Sequence, residues 1–141
     1  MGETAANQIQ AFIDRWHTSG AAERANYQLF LTELCDVIGV AHPRPKTPFE
    51  HENAYVFEKS VPSGHGTTNF IDLYKRGCFV LEAKQGSDQP EEKLDFSEKS
   101  SFYRKQRKKG TAVRGTAGWD TAMERARNQG QGYIRNLPPD E

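Results

Sequence analysis

One stretch limits what this chain can fold into: FIDLYKRGCFVLEAKQG, residues 70–86. Residues 70–75 and 79–85 are rich in aromatic, β-branched and large apolar side chains, and Arg76-Gly77-Cys78 between them reads as a three-residue turn. The spacing predicts a β-hairpin with Lys75 opposite Phe79 and Asp72 opposite Glu82. Ile71, Leu73, Phe79, Leu81 and Ala83 then point into a core, while Asp72, Glu82 and Lys84 share the other face. Opposed residues on antiparallel strands stand about 4.5–5.5 Å apart at Cβ. Two carboxylates at that distance repel unless a cation lies between them, and charges inside a sheet are rare unless paired or bound to metal. Mg²⁺ takes one or two carboxylates and keeps several waters. Asp72 and Glu82 are therefore candidate ligands, and Lys84 stands one pleat along, placed to touch an attacking water or a phosphate oxygen. A local conflict of this kind between pattern and charge tends to mark function.

The rest of the chain frames that hairpin. Ile9, Phe12, Ile13 and Trp16 recur at helical spacing over residues 5–16, and Ser19-Gly20 breaks the helix. A second helix over 21–38 carries a stripe of Tyr27, Phe30, Leu31, Leu34 and Ile38, ended by Gly39. Three prolines make 41–48 an extended connector. Tyr55, Phe57 and Val61 alternate over 54–61, a first strand, and a Gly/Ser/Thr loop over 62–69 leads into the hairpin; it reads as a plain hairpin loop, with His65 as a contact if it approaches a phosphate backbone. A last helix over 118–137 presents Trp119, Met123, Ala126, Gly130, Ile134 and Leu137 as its buried face, and Pro138-Pro139 stops it. Gln129 and Tyr133 lie one turn apart on one side of that helix. The expected architecture is α/β: a small mixed sheet of three or more strands flanked by helices from both ends of the chain.

At 141 residues the chain is sized for one domain, residues 1–141. Its 19 basic and 19 acidic residues cancel, so total charge does not advertise a polyanionic partner. The distribution does. Lys99, Arg104, Lys105, Arg107, Lys108, Lys109 and Arg114 fall within 99–114 with no acid among them, and Phe102 and Tyr103 are interleaved. Such a run beside an acidic metal site is suited to hold DNA phosphates; the plainer reading is a solvated loop. Cys35 and Cys78 follow no disulfide or zinc spacing, which fits a reducing compartment. No signal peptide and no apolar run of membrane length is present, so a soluble cytoplasmic protein without a membrane partner is expected.

Asp72, nine intervening residues and then Glu82-Ala83-Lys84 resembles the D…ExK core of the PD-(D/E)xK nuclease superfamily. The longer string IDLYKRGCFVLEAKQG is similar to the N-terminal nuclease domain of MmeI-like restriction–modification proteins, which join DNA cleavage and methylation in one chain. The flanks ERANYQLFLTELCDVIGV and GWDTAMERARNQGQGYIRNLP match as well, so the resemblance covers nearly the whole chain. It implies a restriction-endonuclease-like fold and Mg²⁺-dependent cleavage of double-stranded DNA. Asp72, Glu82 and the carbonyl of Ala83 would bind the metal, and Lys84 would assist hydrolysis. Some nucleases of the superfamily add an acid from the helix before the sheet; Glu23 lies in the matching segment, where a first-turn Glu also suits the helix dipole. Gln129 and Tyr133 form a Q-x-x-x-Y that resembles the site-lining motif of the RecB-like branch. Arg104, Lys105, Arg107, Lys108, Lys109 and Arg114 are the candidate DNA contacts.

The resemblance also implies further strands, then an adenine methyltransferase binding S-adenosylmethionine and a target-recognition domain, in cis. Neither a glycine-rich cofactor loop nor N-P-P-Y occurs in these residues, so the chain reads as a truncated nuclease fragment whose sheet edge invites pairing with another chain, a homodimer included. Two rival readings stand beside this one. A free-standing RecB-like repair or phage nuclease would keep the same site without a methyltransferase. A catalytically silent DNA-binding or assembly domain would have no reason to keep two carboxylates face to face.

Overall fold

The hairpin turn closes as the spacing predicts. In the computed structural model, which describes residues 4–19, 23–84, 86–87 and 112–141, the Cys78 amide donates to the Lys75 carbonyl at 3.0 Å. Gly77 sits at φ +66°, a conformation that glycine adopts without strain. Strand β2 (Thr68–Lys75) pairs antiparallel with β3 (Phe79–Leu81), Lys75 opposite Phe79 and Leu73 opposite Leu81. On its other side β2 pairs antiparallel with β1 (Tyr55–Pro62), giving a three-stranded sheet in the order β1-β2-β3. The expected parallel component is confined to a separate two-stranded pair, β4 (Gly86–Ser87) with β5 (Ala112–Val113). The class is α/β, with helices α1 (Ala5–Thr18), α2 (Glu23–Ile38) and α3 (Ala117–Asn136) around the sheet. A 3-10 turn, Glu50–Glu52, precedes β1.

Strict alternation fails in the middle of the sheet. The buried residues of β1 are Val56, Lys59 and Val61, and those of β2 are Ile71, Leu73 and Tyr74. The step of three in β1 and the adjacent pair in β2 flank Glu58 and Asp72. Because β1 and β2 keep one register throughout (Phe57 opposite Leu73, Lys59 opposite Ile71), Glu58 falls opposite Asp72. Glu58 holds φ +53°, a left-handed conformation that a residue with a Cβ rarely adopts. The turn in the chain there carries both strands into a new phase. Ile71 packs with Tyr74, Val61 and Tyr133 in one cluster; of the residues expected to enter the core, Ile71 and Leu73 are buried while Leu81 and Ala83 are only half-buried. Phe79 is exposed at the sheet edge and meets the ring of Tyr55. The same shift corrects the first strand: Tyr55 and Phe57 are only half-buried, and Val56 takes the core position.

Helix α3 covers one face of the sheet. Its N-terminus is capped by Thr116, whose Oγ1 accepts from the Trp119 amide. Ala126 and Tyr133 are its buried residues, and Val80 and Leu137 pack against the cluster around Tyr133. Ile134, expected in that stripe, is 56% exposed; Tyr133, one position earlier, takes the inward place. Helix α2 meets the other face through Cys35 Sγ, 3.6 Å from Tyr55 Oη, and through Tyr27 edge-on to Phe57. Its expected stripe is divided, because Phe30 turns to Phe12 and Trp16 of α1 and Ile38 is 60% exposed. Trp16 Nε1 donates to Glu33 at 2.8 Å, which fastens α1 to α2; Ile9 and Ile13 remain exposed.

A largely buried ion network ties the middle of β1 and the turn after β2 to Glu141. Lys59 Nζ lies 2.7 Å from Glu141, which also meets Arg76 at 2.7 Å. Pairing removes most of the penalty that an isolated charge would carry there.

Candidate active site

The β2–β3 ladder ends at Leu73 and Leu81, and the chemistry begins there. Beyond that point the Asp72 side chain replaces a backbone partner: its Oδ2 accepts from the Ala83 amide at 2.7 Å. Glu82 lies on the extension of the register opposite Asp72. Its side chain is 5% exposed and 3.6 Å from Lys84 Nζ. Helix α3 supplies the next contact, because Gln129 Nε2 donates to Glu82 Oε2 at 2.9 Å and to Tyr133 Oη at 2.5 Å. An ideal Cβ at Gly130 would stand 3.9 Å from both Glu82 Cγ and Val80 Cγ1, so the helix lies directly against the acidic strand end.

The structure thus brings together Asp72, Glu82, Ala83, Lys84, Gln129 and Tyr133. Glu23 opens α2, but its side chain lies outside the described residues. So do Arg104, Lys105, Arg107, Lys108 and Lys109. Arg114 is described, between β5 and α3, with its guanidinium 5.4 Å from the Trp119 ring centroid. His65 is exposed in the tight loop joining β1 to β2, where the Ser63 amide donates to the Thr67 carbonyl at 2.8 Å.

Electrostatics follow from the packing. Burial, then the charge of Asp72, pushes the Glu82 carboxyl up to about 7, while Lys84 and the Asp72 amide pull the other way. Burial also raises the Asp72 carboxyl, against the Ala83 amide and Lys84, and the charge of Glu58 adds to the rise. Glu82 Oε1 is buried and has no hydrogen-bond partner among the described residues. An orphaned carboxylate oxygen beside a second carboxylate is costly unless a proton or a cation satisfies it. Among the described residues no three His, Cys, Asp or Glu side chains stand close enough together to hold a metal. The donor set fits an ion that accepts two carboxylates and completes its shell with carbonyl oxygen and water, as Mg²⁺ does.

Glu58 is the acid that the sequence reading passed over. Its carboxylate accepts a hydrogen bond from Tyr27 Oη of α2, and its charge acts on Asp72. Tyr27 therefore borders the acidic group from α2, and Gln129 and Tyr133 border it from α3. Carrying the strand pairing back across the loop at 62–69 would have put Glu58 opposite Asp72.

The family model described as MmeI, N-terminal domain, matches residues 4–141. The chain belongs to that family. Membership of the MmeI N-terminal domain family points to a restriction–modification protein, in accord with the resemblance in the hairpin and its flanks. Neither the curated proteins nor the solved structures hold a significant match to the chain. No helix among the described residues is long and apolar enough to cross a membrane.

Proposed function

We propose that this MmeI N-terminal domain is the DNA-cleaving part of a restriction–modification protein, a Mg²⁺-dependent nuclease of the PD-(D/E)xK kind. The observation that carries the reading is the Glu82 carboxylate, 5% exposed, with Oε1 unpartnered among the described residues, opposite Asp72 and 3.6 Å from Lys84. Two carboxylates without a cation between them are an unstable arrangement; with one, their repulsion becomes attraction.

Asp72, Glu82 and the carbonyl of Ala83 would hold the ion. When bound, Mg²⁺ supplies a Lewis acid for the scissile phosphate and lowers the pKa of a bound water. The chain's own residues do the positioning. Gln129 fixes one oxygen of Glu82, and Tyr133 in turn holds Gln129. The Ala83 amide fixes one oxygen of Asp72. Lys84, partly exposed at the mouth of the site, orients the attacking water or stabilises charge developing on the phosphate. The basic residues Arg104, Lys105, Arg107, Lys108, Lys109 and Arg114 would hold the DNA backbone. In this reading the methyltransferase, with its S-adenosylmethionine, and the target-recognition domain belong to a longer chain in the cytoplasm, and a second copy is a candidate partner of the sheet edge.

The Gln129–Glu82 bond favours a second reading, a free-standing RecB-like nuclease with the same site and no methyltransferase. The deciding experiment uses the longer protein with its methyltransferase. Glu82→Ala and Lys84→Ala should each abolish Mg²⁺-dependent cleavage and leave methylation intact. Cleavage at the parent rate in both variants would overturn the assignment.

A further inference from the structure

The strained residue of the sheet is the acid next to the site, and several contacts hold it there. Glu58 stands in register opposite Asp72 at φ +53°. Such a conformation costs on the order of 1 kcal/mol or more for a residue with a Cβ and persists only where surrounding structure holds it. Here the hold is visible on both sides of the residue. Lys46 Nζ donates to the Glu58 carbonyl at 2.8 Å and to Ser60 Oγ at 2.6 Å, and is itself anchored by Glu50 at 3.1 Å. Tyr27 Oη fixes the carboxylate. Asn or Gly at 58 would accept this backbone more readily, so the carboxylate itself needs a reason.

The position of the acid suggests one. Glu58 of β1 stands in register opposite Asp72 of β2, and Glu82 follows the end of β3 on the extension of the register, its Oε1 buried and unpartnered among the described residues. A Mg²⁺ held by two carboxylates keeps several waters, and these donate hydrogen bonds to acceptors in the next layer. We propose that Glu58, held by Tyr27 and Lys46, is a positioning residue of the metal site that accepts hydrogen bonds from water bound to the ion between Asp72 and Glu82. This rests on the metal-site reading above and adds to it a third carboxylate. In this role Glu58 acts through the bound water and is not itself a ligand.

The test is titration of the chain with Mn²⁺, read by the electron paramagnetic resonance of the free ion, alongside thermal melts. Outer-layer partners of metal sites typically contribute about 10–100-fold in affinity. Glu58→Gln and Glu58→Gly should each weaken Mn²⁺ binding about tenfold, and Tyr27→Phe should weaken it less. Glu58→Gly should melt no lower than the parent, because glycine relieves the strained backbone, so that affinity falls while stability does not. Asp72→Asn serves as the control that removes the ion outright. Parent-like Mn²⁺ affinity in both Glu58 variants, with binding lost in Asp72→Asn, would overturn the role of Glu58 and leave the metal site standing. A parent chain that binds no Mn²⁺ would overturn both.

Discussion

The Ala83 amide donates to Asp72 Oδ2 at 2.7 Å where the ladder between β2 and β3 stops. A side-chain carboxylate thereby takes over the task of a strand carbonyl, and the Glu82-Ala83-Lys84 segment is held to the sheet by the acid it is proposed to work with. Asp72→Asn keeps an oxygen acceptor and should fold like the parent. Asp72→Ala removes the acceptor of a charge-assisted bond and should cost about 2 kcal/mol in urea unfolding. In Asp72→Asn the Glu82 carboxyl should titrate lower, since the charge of Asp72 is the second cause of its rise; carbon-detected NMR of the Glu82 carboxyl reads the change.

Glu82 also sets a pH dependence. Its carboxyl is raised in the folded chain from 4.5 to about 7, so the native state binds this proton more tightly than the unfolded state. The associated stability is fully present below about 4.5 and is lost as pH rises through about 7. Asp72, raised in the same direction, adds to the loss. Glu141 opposes it: against the effect of burial, bonds from Lys59 and Arg76 hold its carboxyl low, so its contribution is complete before this window opens. Without divalent cation the melting temperature should fall between about pH 5 and pH 8. Glu82→Gln should flatten that fall, and added Mg²⁺ should reverse it, because metal and proton compete for the same oxygens.

Gln129 and Tyr133 can be separated by size-conserving changes. Tyr133→Phe keeps the buried ring and removes only the hydroxyl that meets Gln129; it should cost about 1 kcal/mol. Tyr133→Ala empties a position in the cluster of Val61, Ile71 and Tyr74 and should cost about 3 kcal/mol or more. Gln129→Ala should leave stability within about 1 kcal/mol but release Glu82 Oε2. Its effect should appear as weakened divalent-cation binding. Parent-like binding in Gln129→Ala would mean that the bond to Glu82 is incidental.

Gly130 offers the opposite sign. It sits inside α3, where glycine costs about 1 kcal/mol relative to alanine. A Cβ there would make ordinary contacts at 3.9 Å with Glu82 and Val80. Gly130→Ala should raise stability by up to about 1 kcal/mol with divalent-cation affinity unchanged. A lower melting temperature would show that α3 needs to lie closer to the strand end.

What could be read in advance divides along physical lines. The turn at Arg76-Gly77-Cys78 is short and holds a glycine, so counting outward set Lys75 against Phe79 as observed. Gln129 and Tyr133 are one helical turn apart, and their contact follows from helix geometry alone. Glu58 was legible only by carrying the pairing across the 62–69 loop to the next strand, and its positive φ left no mark in the sequence. The break in alternation beside it gave Val56 the core place that strict alternation had assigned to Tyr55 and Phe57. Helical periodicity located the buried stripe of α3 but not whether Tyr133 or Ile134 faces inward, since neighbouring positions differ by only about 100° around the axis.

The basic run carries the last prediction, and it rests on charge. Arg104, Lys105, Arg107 and Lys108 stand among seven basic residues without an acid between 99 and 114. If they hold phosphates, replacing the four with Gln should weaken DNA binding on all sequences alike. The dependence of affinity on salt should flatten by roughly 0.9 log units per decade for each phosphate that is no longer neutralised. Sequence preference should not change, because phosphate contacts orient a protein on DNA and base contacts specify the site. A solvated loop would give the same affinity and the same slope as the parent. The slope is the informative readout: an unchanged slope would remove these residues from the DNA interface even if cleavage fell, since a shifted metal site could lower cleavage without touching a phosphate.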